Sequence, residues 1–475
     1  MRLRASRLAG LACLAVLSAS CLPLCPPLTP QCLAEDQKLD IMGDVRLRMR
    51  YIDSADTGAV FGTYNEELRR GFSFRDRLVL EAVYSLTDRI DAGGMVRVSN
   101  EGSEVLVAGP QYLSSEFGSA FIAYRTPSLG ARLGYYDVFY TPLTLMRWDV
   151  DDDPEGGAGC GCPGTATVGG TLLGETLEEL GPTLTFEGGQ FSAAPLEAQA
   201  FALDGFLARA RPAAAGSYQL LTYGARLDAT KYLSQPSSLL DVNAIFVRSA
   251  EDKNSANLPP SAAPPFANTV FGLAWKVPIV KFLGVDGEWT LTRTSGEVRR
   301  EGSGGIVSVT LTPTKTFEIV TSYLYLSPNW ESYFRALSYN PDRQGVRVRI
   351  EASSGPLVLA AFAKYLRTVD RVPEQGNRHM VHPTASLRSY LQINPALDFG
   401  VGAIFAGSGV EDNGLSFDML DKRYTLFGNL TLEFAEDAFL TLEERFVWNR
   451  VAVPTATQTD YDFSMLSLYV RSGIW

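Results

Sequence analysis

Histidine is almost absent from the chain: two residues, His379 and His382, among 475 leave little for acid–base or metal chemistry. They stand in "RHMVHP", which reads as an outer connection, and solvated loop residues are expected there rather than a metal pair. No G-x-S-x-G elbow, H-E-x-x-H or phosphate-binding loop occurs. The adjacent acids Glu443 and Glu444 point to opposite faces of a strand, so they cannot act together on one substrate. Neither an enzyme nor a bound metal or cofactor is expected.

Long apolar runs are missing too. After the first few dozen residues nothing approaches the roughly 20 apolar residues of a membrane-spanning helix, and "PLVLAAFA" is stopped by Lys364. Helical periodicity is also lacking, and no linker divides the chain into two compositions. Basic residues are in deficit, which argues against nucleic acid as a partner. Cysteine is scarce: of six, Cys13, Cys21, Cys25 and Cys32 lie near the start, leaving Cys160 and Cys162.

The opening "MRLRASRLAGLACLAVLSAS" has three arginines before an apolar run, and no charge falls between Arg7 and Glu35. That is the layout of a secretory signal peptide over residues 1–34, cleaved after Ala34. A competing reading takes "LSASC" as a lipobox with Cys21 acylated, with Ser18 at a place that usually carries a larger aliphatic residue. Loss of Arg2, Arg4 and Arg7 leaves 39 basic and 53 acidic residues, a formal charge of −14.

What the chain does have is alternation. In "DVRLRMRY", Arg46, Arg48 and Arg50 alternate with Val45, Leu47, Met49 and Tyr51, the mark of a strand with one apolar and one cationic face. "DRLVLEAVYSL", "SLLDVNAIFV", "GVRVRIEA" and "AFLTLEERFVW" repeat it, although Glu444 falls on an apolar face. Short turns, among them "SLTDRID", "RTPSLGAR" and "FEGGQFS", alternate with long connections such as 139–175 and "SPNWESYFRALSYNPDRQ". A soluble sandwich has no reason to sort its connections by length, whereas a membrane barrel has short turns on one rim and long loops on the other. The expected fold is all-β: a single domain over 35–475 forming a transmembrane antiparallel up-and-down β-barrel of about 18–20 strands. Tyr135, Tyr136, Phe139, Tyr140, Trp275, Trp289, Tyr323, Tyr325 and Trp330 gather near strand ends, as aromatic girdles would.

The C-terminal "FSMLSLYVRSGIW" resembles the closing strand of outer-membrane barrels, although Trp475 is one step out of register with Leu466, Leu468 and Val470. A bulge near Ser472 and Gly473 would restore the phase. With leader, hairpin rhythm and terminal aromatic together, the chain resembles a Gram-negative outer-membrane porin, and "YNPDRQGVRVRIEA" is similar to a loop-to-strand passage in porins. The resemblance implies an outer-membrane location in contact with lipid, a homotrimer, and an inward-folding third outer loop, here 139–175.

In such a barrel Arg46, Arg48, Arg50, Arg75, Arg77, Arg97, Arg347 and Arg349 line the pore. The loop acids Asp149, Asp151, Asp152, Asp153 and Glu155 would face them across a constriction, setting up a transverse field. The same acids read equally as a solvated loop; "DVDDDPE" lacks the spacing of a calcium loop. Cys160 and Cys162 in "GCGCP" read as a strained disulfide staple. The expected function is an aqueous channel for passive diffusion of small hydrophilic solutes, anions among them. Two alternatives stay open: a barrel acting as exporter or as a sheath for a periplasmic electron-transfer partner, and a secreted soluble β-rich adhesin.

Overall fold

The computed structural model describes residues 39–54, 60–61, 66–67, 71–100, 113–136, 138, 140–145, 186–194, 201–211, 218–229, 240–256, 264–334, 341–411, 417–435, 438–452 and 460–474. The expected leader 1–34, the loop acids, both loop cysteines, Phe139 and Trp475 lie outside them. The strands are β1 (Leu39–Ser54), β2 (Val60–Phe61), β3 (Glu66–Glu67), β4 (Gly71–Thr87), β5 (Ile90–Asn100), β6 (Leu113–Arg125), β7 (Leu129–Tyr136), β8 (Phe186–Ala193), β9 (Ala202–Arg211), β10 (Gln219–Asp228) and β11 (Asp241–Asp252). They continue with β12 (Ala267–Val280), β13 (Leu283–Ser295), β14 (Arg300–Thr314), β15 (Phe317–Leu326), β16 (Arg343–Ser354), β17 (Leu357–Arg367), β18 (Met380–Asn394), β19 (Leu397–Glu411), β20 (Phe417–Ala435), β21 (Ala438–Val451) and β22 (Tyr461–Ile474).

Apart from the small β2–β3 pair, the strands form one 20-stranded sheet. Each pairs antiparallel with its sequence neighbour, β1 with β4 and β21 with β22, and β22 returns to β1. The sheet closes on itself, which removes every edge. The chain is an up-and-down β-barrel.

Two-residue turns at 88–89, 281–282, 315–316, 355–356 and 395–396 fall on one rim. The long connections 137–185, 253–266 and 327–342 fall on the other. The β1–β22 register runs unbroken from Ser54↔Phe463 to Gly43↔Ile474, so the expected bulge at Ser472 and Gly473 is absent. "FEGGQFS" is not a turn either, because it is most of β8. Its glycines permit a close approach of strands: a Cβ on Gly188 would lie 2.1 Å from the Leu207 carbonyl oxygen.

Burial alternates with the pleat and in the sense opposite to a soluble barrel. On β13 Glu288, Thr290, Thr292 and Thr294 are buried, while Trp289 and Leu291 are exposed. On β20 Arg423, Thr425 and Asn429 are buried between exposed Tyr424, Leu426 and Leu430. Side chains on a closed sheet converge inward and diverge outward, so the polar set faces the lumen and the apolar set the surroundings. Outward Leu133, Leu207, Phe271, Leu387 and Leu426 extend that apolar face across strands. Leu426→Arg is expected to destabilise the barrel in a bilayer by roughly 2–4 kcal/mol, the scale for arginine facing lipid near the midplane; urea unfolding in phospholipid vesicles, compared with Leu426→Ala, measures it.

Candidate functional site in the lumen

Two connections leave the long-loop rim and pack against the inner wall. The first, residues 140–145, is a compact turn in which the amides of Thr144 and Leu145 donate to the Thr141 carbonyl at 3.1 Å. Its Leu143, Thr144 and Leu145 are almost fully buried. The second, 327–334, starts after β15 and buries Trp330, Ser332 and Phe334. A parallel bridge between Leu145 and Phe334 and a hydrogen bond from the Ser332 hydroxyl to the Thr144 carbonyl, 3.0 Å, join the two.

The wall supplies three kinds of anchor. Glu288 on β13 accepts from the Thr141 hydroxyl and, at 3.2 Å, from the Leu143 amide. Thr290, two residues along the same face, accepts from the Trp330 indole at 2.9 Å, and Thr292 accepts from the Glu331 amide at 3.2 Å. Asn268 donates to the Glu331 carbonyl at 2.7 Å and accepts from the Tyr333 amide at 3.1 Å. The alternation of β12 and β13 thus aligns a ladder of polar groups that satisfies irregular backbone inside the barrel.

Apolar packing completes the attachment. Tyr136, Val138 and Leu145 join Phe334 and the inward Phe186, Phe206, Leu220, Ile245 and Val247 in one cluster. Leu143, Leu324, Leu326, Trp330 and Leu366 form a second. Phe186 stacks on Phe206 at 5.6 Å and meets Phe334 edge-on at 5.3 Å. The Tyr140 ring is 5.9 Å from Phe206, with the Arg226 guanidinium 5.5 Å from its centroid. Burial, with Asp204 nearby, pushes the Tyr140 phenol above its ordinary range.

Next to this packed arc, from β16 to β20, the inner wall carries cations. Arg347 on β16 pairs in register with Lys364 on β17, Lys364 with Thr384, Thr384 with Ala406, and Ala406 with Arg423. The three basic residues are each about 5–6 % exposed. Arg349 bridges to Glu318 at 2.8 Å, and buried Arg445 to buried Glu443 at 2.7 Å.

The structure describes side chains for two of the eight arginines expected to line the pore, Arg347 and Arg349. For Arg46, Arg48, Arg50, Arg75, Arg77 and Arg97 it describes strand positions only. Those positions share the face of buried wall residues: Arg50 pairs with Ser467, Arg48 with Tyr469 and with Arg75, Arg46 with Arg77, and Arg97 with Val79.

Three sequence expectations change. Trp330 and Tyr136 are not girdle residues but lie inside, where Thr290 satisfies the indole and the Gly189 and Leu207 carbonyls satisfy the phenol. His382 is not in a loop, because β18 begins at Met380 and His382 is buried on its inner face. The connection 327–342, read as an outer loop, enters the barrel at its start. Glu288, Thr290 and Thr292 were not singled out, although in "GEWTLTRT" they alternate with outward Trp289 and Leu291.

No family model and no curated protein matches the chain. Among solved structures it is similar to several, an outer-membrane protein and a porin among them. OpdK from Pseudomonas aeruginosa is 11% identical, with TM-score 0.42, and the match covers 92% of this chain and 99% of that one. A BenF-like porin from Pseudomonas fluorescens Pf-5 is 10% identical, with TM-score 0.43 and coverages of 92% and 99%. OccAB3 from Acinetobacter baumannii is 11% identical, with TM-score 0.42 and coverages of 92% and 100%. The barrel itself is established by closure of the register, independently of these likenesses.

Proposed function

We propose that the chain forms a water-filled channel through the outer membrane for passive diffusion of small hydrophilic solutes, anions among them. The observation that carries this reading is the division of the closed wall into an apolar outer face and an inner face that holds the wall's buried polar and charged residues, cations on β16, β17 and β20 among them. A barrel of 20 strands is too wide for wall side chains alone to fill. The turn 140–145 and the strap 327–334 occupy part of the lumen and narrow it. An exporter or a sheath needs the lumen for another macromolecule, and these two segments stand against it.

Positive charge on the inner wall favours anions electrostatically over cations, so the arginine face biases selectivity. Arg46, Arg48 and Arg50 on β1 continue that face at the seam where the barrel closes. Replacing all three with alanine is expected to move the reversal potential in asymmetric KCl towards cation preference while the channel stays open. An unchanged reversal potential removes them from the pathway; absence of any conductance by the wild type removes the channel.

A further inference from the structure

The outward face near the long-loop rim carries a row of polar and cationic side chains above an apolar band. On three consecutive strands Arg248 of β11, Thr269 of β12 and Arg293 of β13 are direct register partners. Adjacent strands lie about 4.8 Å apart, so the two arginines flank the threonine across roughly 10 Å. Arg248 and Arg293 are exposed. Directly below, two residues along each strand, stand Phe246, Phe271 and Leu291, and Tyr223 is the partner of Arg248 on β10. Tyr223, Phe246 and Phe271 form a chain of ring contacts at 6.0 and 5.1 Å. The three basic or hydroxyl positions therefore sit one pleat repeat above an outward aromatic band.

Two other outward arginines at this rim are matched by acids. Arg209 bridges to Glu187, and Arg450 to Asp462 with a 2.9 Å contact. Arg248 has no acidic partner among the described residues, and Arg293 has only a 3.8 Å contact to Glu301, which is itself 60 % exposed. Such an exposed, distant pair neutralises little. The patch is left with net positive charge facing away from the lumen, at the level where the apolar face ends.

We infer that Arg248, Thr269 and Arg293 form a binding site for the phosphate of a lipid headgroup in the leaflet on the long-loop side. Guanidinium forks bind phosphate oxygens bidentately, and a hydroxyl between two of them supplies a further donor. The aromatic band beneath seats the first part of the acyl region, as aromatic rings do at membrane interfaces. Charge complementarity selects an anionic headgroup, and the outward direction selects lipid over a solute of the channel. This inference rests on the membrane-channel reading above.

The test uses the full chain, delipidated in detergent, with bis-phosphorylated lipid A and its dephosphorylated form as probes, read by native mass spectrometry. Wild type is expected to retain bis-phosphorylated lipid A at least tenfold more strongly than the dephosphorylated form. The double variant Arg248→Ala, Arg293→Ala should lose that preference, and the double lysine variant should keep part of it. Equal retention by wild type and the alanine variant overturns the site. Displacement of the lipid by millimolar inorganic phosphate alone overturns the lipid assignment in favour of a free-anion site. Single-channel conductance and the heat-shifted folded band are read on the same samples. Their loss in wild type indicts the channel reading, and their persistence beside lost lipid preference isolates the headgroup site.

Discussion

Glu288→Ala is expected to raise single-channel conductance and to add slow sublevel fluctuations, with the folded, heat-shifted band retained. The carboxylate is 4 % exposed and holds the inward turn through the Thr141 hydroxyl and the Leu143 amide. Its removal leaves the Leu143 amide without its acceptor, at about 1–3 kcal/mol, and the Thr141 hydroxyl with Thr144 Oγ1 in its place. The cheapest relief is for the turn to lift off β13 and let water reach the amide. Leu143 leaves its cluster with Trp330 and Leu326 when this happens, so the lumen widens on the packed side. Glu288→Gln keeps one carbonyl acceptor for the Leu143 amide and should fall between wild type and alanine. Planar-bilayer recording of the three proteins decides; identical conductance in all three would show that the turn is held by apolar packing alone.

Gly302→Val is expected to expel the second inward segment. A Cβ at Gly302 would lie 2.4 Å from the Trp330 backbone nitrogen and Cα, neither of which can rotate away. Trp330 is fully buried, with its indole on Thr290, so displacing it forfeits something near the roughly 3–5 kcal/mol of a large-to-small aromatic substitution. The strands flanking Gly302 keep their register with β13 and the barrel still closes. The chain has six tryptophans, so the readout needs a difference: the emission of Gly302→Val should shift to the red relative to wild type. That shift should vanish when Trp330→Phe is the background for the same comparison. A shift of equal size in both backgrounds would place the change elsewhere in the wall.

Both experiments address groups that alternation alone does not reveal. Arg347 and Glu288 occupy equivalent inward positions on strands of similar pattern, yet one stands in a basic arc and the other anchors a turn. The difference comes from residues 147 positions apart in the chain, Thr141 and Glu288, meeting across the lumen. Trp330 shows the same limit in reverse. Near a strand end it reads as a girdle residue, and its inward course depends on Gly302, Thr290 and the space between two faces of a closed wall.

By itself the sequence determined the strand period, the facing of apolar and polar sets and the near-regular segregation of turns from loops, because each follows from side chains within two residues of one another or from short turn chemistry. The glycines of β8 misled it, since a close strand approach and a tight turn ask for the same residue. Only the tertiary structure decided which connections enter the barrel, which wall residues hold them and which arc remains cationic. Those outcomes depend on the size of a cylinder fixed by 20 strands together and on contacts between distant segments across its interior.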